Sequence, residues 1–403
     1  MQPWPGEVLE ERAGEIAVAF AALLTRQAGW RHRRVETIAV LSHEEVRRSV
    51  SVDFTVPFEH RDELRLSDGE WVVPLAVLDK RKLVHFDLFG EDGYALPLVR
   101  SDEVRLIARE LLYLMLDIEL EDAEPGFDAS DLIERVLAAG PEDVEAVTAR
   151  VDAVAGQAPE FAALARVLTS KFLLCAVLDT VAKRRIVKFA YDEPLGRPDR
   201  RSHFYGTQGC TEAASYHVEL SVPEGMRARS ADIVDNRTGE LLLEGPRDSD
   251  RPGLHYMAST GAEIEPGLRV KYAPERSGFL VPAMLVAWVL TLELGLAWAF
   301  ADLHGIARSG GPAVAVLLSV SAVFSSLVLR AGEHPLVQLV LARYRMLLGT
   351  ATLAAVAAGG TLAFRGSETL LSWTWGVGAL VALATAGILS IEVVRAPATA
   401  KRP

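Results

Sequence analysis

Glu293 is the residue whose chemistry stands out first, a carboxylate in the middle of an otherwise uncharged apolar run, 279–301. An acidic side chain at the centre of a bilayer costs roughly 2.5–3.5 kcal/mol on insertion scales. Such a group turns inward and finds a partner, or it lines a path for ions or protons. Ser319 and Ser321 fall at similar depth in the next apolar run, so a hydrogen-bonded Glu–Ser contact is the simpler expectation. Glu293 also defines the alternative reading, a small transporter or channel subunit. Proteins of that kind carry several intramembrane ionisable groups, and these runs contain one.

His203, Cys210 and His217 are the other residue types that could do chemistry together. Their seven-residue gaps match no usual zinc spacing, and His217 reads as the polar-face member of an alternating strand. A loop with a buried thiol is the preferred reading. The segment 206–209 is too short for a phosphate loop, and no GxxxxGK[ST] or strand-following GxGxxG occurs. No nucleophile elbow or Asp-rich metal motif occurs either. No catalytic, cofactor-binding or metal-binding residue is assigned, and no cofactor is expected. Basic clusters at 31–34, 80–82, 183–185 and 197–201 read as solvated faces.

Charge and hydropathy divide the chain. Residues 277–403 carry a net charge of +3 in a chain whose total is −12, so residues 1–276 carry −15. An acidic head of that size is repelled by phosphates, which argues against nucleic-acid binding. Four apolar runs follow, at 279–301, 312–329, 346–364 and 370–391, each near the roughly 20 residues that span a hydrocarbon core. Trp298, Phe300, Phe364, Trp373 and Trp375 sit near their ends, as interfacial aromatic residues do. Nine Lys/Arg flank the spans on the side of the N-terminal region, and only Arg308 and Arg365 flank the other. The positive-inside rule places residues 1–276 and the C-terminus in the cytoplasm, where Cys175 and Cys210 are expected as free thiols. Small residues repeat every four positions in the last two spans, at Ala351, Ala355 and Gly359 and at Gly378, Ala382, Ala386 and Ser390. They suit close packing within a four-helix anchor, or a homo-oligomer through those two spans.

Ahead of the spans, the periodicity changes three times. A helix over 7–29 precedes strands over 50–56, 71–78, 83–88 and 94–98, an α+β unit over 1–100. Helices over 101–120, 130–139, 141–154 and 159–181 form a block across 101–182. Alternation returns over 183–273, notably at Tyr216, Val218, Leu220 and Val222, and indicates an antiparallel, immunoglobulin-like β-sandwich. The short connector 273–278 then leads into a transmembrane domain over 279–394.

The stretches Arg48–Val56, Val73–Leu88 and Ser215–Gly225, together with 35 Arg against 7 Lys, resemble uncharacterised integral membrane proteins of high-GC bacteria. That resemblance implies a cytoplasmic α+β and β-sandwich region on a four-span anchor, and it brings no activity or site residue. The expected function is a non-enzymatic scaffold, sensor or interaction module at the inner leaflet of the cell membrane, with a protein or small ligand as partner.

Overall fold

The computed structural model describes residues 5–42, 44–80, 84–119, 129–195, 202–207, 209–257, 266–299, 334–363 and 368–396. Helix α1 (Pro5–Thr25) and the single turn α2 (Gln27–Trp30) open the chain. Leu9, Ala13, Ile16, Phe20 and Leu23 form the buried stripe of α1 at helical spacing. Strands β1 (Arg31–Val40) and β2 (Glu45–Phe54) pair antiparallel, and a 3-10 turn at Phe58–His60 leads to β3 (Arg65–Ser67), β4 (Glu70–Asp79) and β5 (Val84–Phe89). β1 is absent from the sequence-based expectation, which placed a solvated basic cluster at its start. Residues 94–98 form no strand, although Ala95 bridges Phe89 across a turn in which Gly93 adopts a positive φ of 81°.

Helices α3 (Ser101–Glu119), α4 (Ala129–Ala138), α5 (Val144–Val154) and α6 (Pro159–Ser170) follow close to their expected places. The last is shorter than the expected 159–181. Its final eleven residues were to be helix, but β6 (Lys171–Leu178) starts immediately after Ser170 and pairs with β4. Phe172–Leu178 is a continuous apolar run, which periodicity cannot assign to helix or strand; a free partner edge on β4 decides for strand.

The remaining strands are β7 (Arg185–Pro194), β8 (His203–Gly206), β9 (Ser215–Ser221), β10 (Met226–Asp235), β11 (Leu241–Leu243), β12 (Arg247–Ser249), β13 (Gly253–Tyr256) and β14 (Pro266–Pro274). The largest sheet runs β13-β9-β1-β2-β7-β5. It takes three strands from 1–100 and three from 183–273, so the two regions read as separate units share one hydrogen-bonded sheet. Nor is it wholly antiparallel, because β1 and β9 run parallel. β8, β10, β11, β12 and β14 form the second sheet, and β3, β4 and β6 a third.

One face of the six-stranded sheet serves two hydrophobic cores. Val50, Val52 and Phe54 of β2 and Val187 and Phe189 of β7 pack with α1, α3–α6 and the third sheet. Ile38, Val40 and Val46 pack instead with β9, β10 and β14, and this second core continues without a break into the C-terminal helices. A π-helical turn at Arg276–Leu280 links β14 to α7 (Val281–Ala299); α8 (Pro335–Ala363) and α9 (Glu368–Arg395) complete the described chain. Leu280, Ala283, Leu336, Tyr344, Leu389 and Val393 all belong to the core they share with the sheets.

Three helical stretches, Gly278–Ala299, Pro335–Thr361 and Thr369–Arg395, are long and apolar enough to cross a membrane. They coincide with the expected spans 279–301, 346–364 and 370–391; the fourth, 312–329, lies outside the described residues. Their packing is inverted relative to a water-soluble bundle. Ala287, Ala351, Ala355, Ala358, Ala382 and Ala386 are buried between the helices, while Leu292, Leu353, Trp373, Leu380 and Val394 face outward. Water would penalise an apolar surface of that extent, whereas lipid does not. This is a membrane protein. α7 and α8 both run antiparallel to α9: Trp288 Nε1 donates to Ser390 Oγ at 3.0 Å, Tyr344 Oη to Glu392 Oε2 at 3.2 Å, and Trp375 Nε1 to the Ala358 carbonyl at 3.3 Å.

Candidate functional site

The boundary between the two cores is polar. On β1, Arg34 and Glu36 share the inward phase of Ile38 and Val40; on β2, Arg48 shares the phase of Val46, Val50 and Val52. A register shift near Arg31 and Arg33 turns Arg31 inward as well. The basic cluster at 31–34, expected on a solvated face, is therefore divided: His32 and Arg33 are exposed, while Arg31 and Arg34 are 1% and 5% exposed.

These side chains form an alternating chain of charge. Arg31 and Arg34 both donate to Glu212 Oε2, at 3.2 and 2.8 Å. Arg34 lies 3.9 Å from Glu36, Arg48 bonds the other oxygen of Glu36, and Arg48 Nε stands 2.8 Å from Glu193. Neighbouring strands complete the cluster. Tyr216 of β9, in register with Arg34, donates its hydroxyl to Glu36 Oε2 at 2.9 Å, and Tyr191 of β7 lies opposite Arg48. Arg31 is anchored from the far side by the Pro74 carbonyl at 3.0 Å and Gln27 Oε1 at 2.6 Å. That carbonyl is free because β4 breaks register between Pro74 and Ala76, the kind of irregularity at which a strand tolerates proline. Gly209 presses on the Arg34 guanidinium: a Cβ there would come within 2.1 Å of Nε, so any larger residue would displace this arginine from its place beside Glu212.

Three arginines and three glutamates balance, and the electrostatics follow from burial set against pairing. Burial alone would raise the Glu36 carboxyl, but Arg48, Arg34 and the Tyr216 hydroxyl together hold it below its ordinary value. Burial opposes the charge on Arg48 too, yet Glu36 and Glu193 keep it firmly protonated. Arg31 is the weakest member: burial, only partly offset by Glu212, lowers it to about 10, which leaves it charged at neutral pH.

A cavity of about 210 Å³ opens on this chain, bordered by Arg34, Glu36, Arg48, Tyr191, Glu193 and Tyr205. It is smaller than the roughly 300–1,000 Å³ of drug-sized clefts. Its lining is largely charged and phenolic, with two arginines, two glutamates and two tyrosines among the bordering side chains. Burial pushes the nearby Cys210 thiol up to about 12, with Glu212 and Glu36 adding to the effect, so no thiolate forms at neutral pH. The Cys175 thiol is raised further by burial.

Of the residues singled out from the sequence, only Cys210 lies beside this charged chain. Glu293 is half-buried on α7, and its Oε2 has no hydrogen-bond partner among the described residues; Ser319 and Ser321 lie outside them. His203 is buried on β8 with its ring edge-on to Tyr272 at 5.1 Å, Cys210 sits in the second core, and His217 lies on β9 in register with His255. Among the described residues, no three His, Cys, Asp or Glu side chains gather as a metal site. Of the other basic clusters, Lys80 caps the carbonyls of Val136 and Leu137 at the end of α4, and Arg184 and Arg185 pair with Asp53 and Asp179. Arg81, Lys82 and 197–201 lie outside the described residues.

Comparison with protein-family models and with curated proteins finds no match to this chain.

Proposed function

We propose that this protein is a sensor or interaction module of a bacterial inner membrane, with its β-rich head in the cytoplasm, that takes a small ligand bearing both charges in the cavity between its two cores. The observation that carries the reading is the course of β1. Glu36 contributes to the charged chain, and four residues later the Val40 carbonyl accepts a hydrogen bond from His334 Nε2 at 3.0 Å, at the start of α8. A strand rises about 3.3 Å per residue, so the cavity wall and the helical bundle are about 13 Å apart along one stiff element. Occupancy that shifts Glu36 or Arg48 is thereby felt at the base of the bundle.

The orientation rests on the nine Lys/Arg on the head side against two on the other. Helix polarity supports a fourth crossing. α7 leaves the head and α8 starts again at the head, both antiparallel to α9, and the intervening sequence contains 312–329, an apolar run of spanning length.

Hydrogen exchange on the full chain in nanodiscs tests the coupling. Tyr216→Phe removes one bond to Glu36 without changing charge. Amides of 338–345 and of the 41–45 turn are expected to exchange several-fold faster, with 355–363 unchanged. Unaltered exchange at 338–345 would remove the coupling and with it the sensor.

Transport through Glu293 is the alternative, favoured by an Oε2 that has no partner among the described residues. Proteoliposomes of the wild type and of Glu293→Gln are both expected to hold a proton or cation gradient. Flux in the wild type that Glu293→Gln abolishes would move the function into the helices.

A further inference from the structure

The junction between head and bundle holds a second polar groove, of about 50 Å³, to which β10, β12, β14, α8 and α9 all contribute. Its charged members are Arg229 on β10, Asp248 on β12, Arg343 on α8, and Glu392 and Arg395 on α9. Glu392 is already engaged: Tyr344 donates to it at 3.2 Å, and Arg343, itself bonded to the Tyr344 hydroxyl, lies 3.8 Å from it. Arg229 and Arg395 are exposed and form no ion pair among the described residues. Three guanidinium groups against two carboxylates leave one positive charge in the groove, at the head end of the apolar helices. One turn deeper, on the faces that carry Arg343 and Arg395, large apolar side chains point outward: Met346 is 74% exposed and Ile391 52%, with Ile388 beyond.

A net positive groove with room for a phosphate and little more, set directly above an outward apolar strip, matches one amphiphile. We propose that it binds a single anionic glycerophospholipid. Arg229, Arg343 and Arg395 hold the phosphodiester, and the acyl chains lie along Met346, Ile391 and Ile388. Guanidinium groups suit this role because their forked donors match phosphate oxygens. Because Arg229 belongs to the head while the other two belong to the helices, a lipid bound here staples one to the other. The proposal requires only membrane insertion, and it stands or falls independently of the cavity beside Glu36.

The test uses the full chain in nanodiscs of phosphatidylcholine alone and of phosphatidylcholine with phosphatidylglycerol, read by melting temperature and by the lipids retained in native mass spectrometry. Arg229→Gln and Arg395→Gln are the variants, since neither residue is needed for an internal ion pair. Arg33→Gln, on the exposed face of β1, controls for net charge. Phosphatidylglycerol is expected to raise the wild-type melting temperature and to be retained in preference to phosphatidylcholine. Each site variant should lower that retention about fivefold, corresponding to about 1 kcal/mol per basic residue at an anionic surface, whereas Arg33→Gln should match the wild type. Equal responses to phosphatidylglycerol in wild type and site variants overturn the proposal. So does stabilisation of the same size by millimolar inorganic phosphate in phosphatidylcholine discs, which would assign the groove to free phosphate.

Discussion

Glu36→Gln is expected to lower the stability of the head by about 3–5 kcal/mol, the range for removing one partner of a buried, hydrogen-bonded ion pair. Glu36 is 1% exposed and lies between Arg34 and Arg48, so the amide would leave both guanidinium groups facing each other across a neutral side chain, with only Glu212 and Glu193 at their outer sides to offset them. Denaturant titration of the full chain, followed by the fluorescence of Trp30 and Trp71, reads the loss. Replacing both partners, Glu36→Leu with Arg48→Met, should cost less than Glu36→Gln alone, because two apolar groups carry no desolvation penalty. A Glu36→Gln protein within about 0.5 kcal/mol of wild type, the range of ordinary surface substitutions, would mean that the charged chain does not hold the two cores in register.

The same carboxylate gives the effect a pH signature. Its folded value is held below its unfolded one by Arg48, Arg34 and Tyr216 against the burial that would raise it. Its contribution is therefore fully present above the ordinary glutamate value of about 4.3 and is lost as pH falls through the lower folded value. Wild type and Glu36→Gln should differ most at neutral pH and converge in acid.

Ala386→Leu is the second large expectation. Ala386 is fully buried in the core that joins sheets and helices, as is Ala287 on α7. A leucine at 386 has no room unless the backbones separate, an overpacking penalty of about 1–3 kcal/mol. Detergent titration monitored by circular dichroism would show it as earlier loss of helix. The oligomeric state by light scattering should not change, because the small-residue stripes are used within one chain: Ala351, Ala355, Ala382 and Ala386 are all buried, and a Cβ on Gly378 would meet Leu294 of α7 at 3.3 Å. A wild-type oligomer that Ala386→Leu dissolves without loss of helix would restore the homo-oligomer reading of spans three and four.

Much of this architecture is readable from local pattern. The helices α1 and α3–α5, the alternation of β9 and β14, and three membrane helices all follow from residue spacing and the length of apolar runs, because each is decided by nearest neighbours and by solvent or lipid. Lys171–Leu178 was not readable, since an unbroken apolar run takes whichever state its partner offers. The candidate site was hidden for a related reason. Arg34, Glu36 and Arg48 keep strict period two with Ile38, Val40, Val46 and Val50, but charged residues in that phase look like solvent-facing ones until something buries them. The local signal was charges of opposite sign in the same alternating phase of two adjacent segments.

Sequence alone determined the division into an acidic head and an apolar end, the short link between them, and most of the elements. Only the tertiary structure decided that β1 lies beside β9 and β2 beside β7, which joins two regions more than a hundred residues apart into one sheet and closes the charge chain through Glu193 and Glu212. Strand pairing over such distances is settled by which edges and faces remain uncovered after the helices have packed, and a buried charge is tolerated only where its counter-charge has already been brought to it.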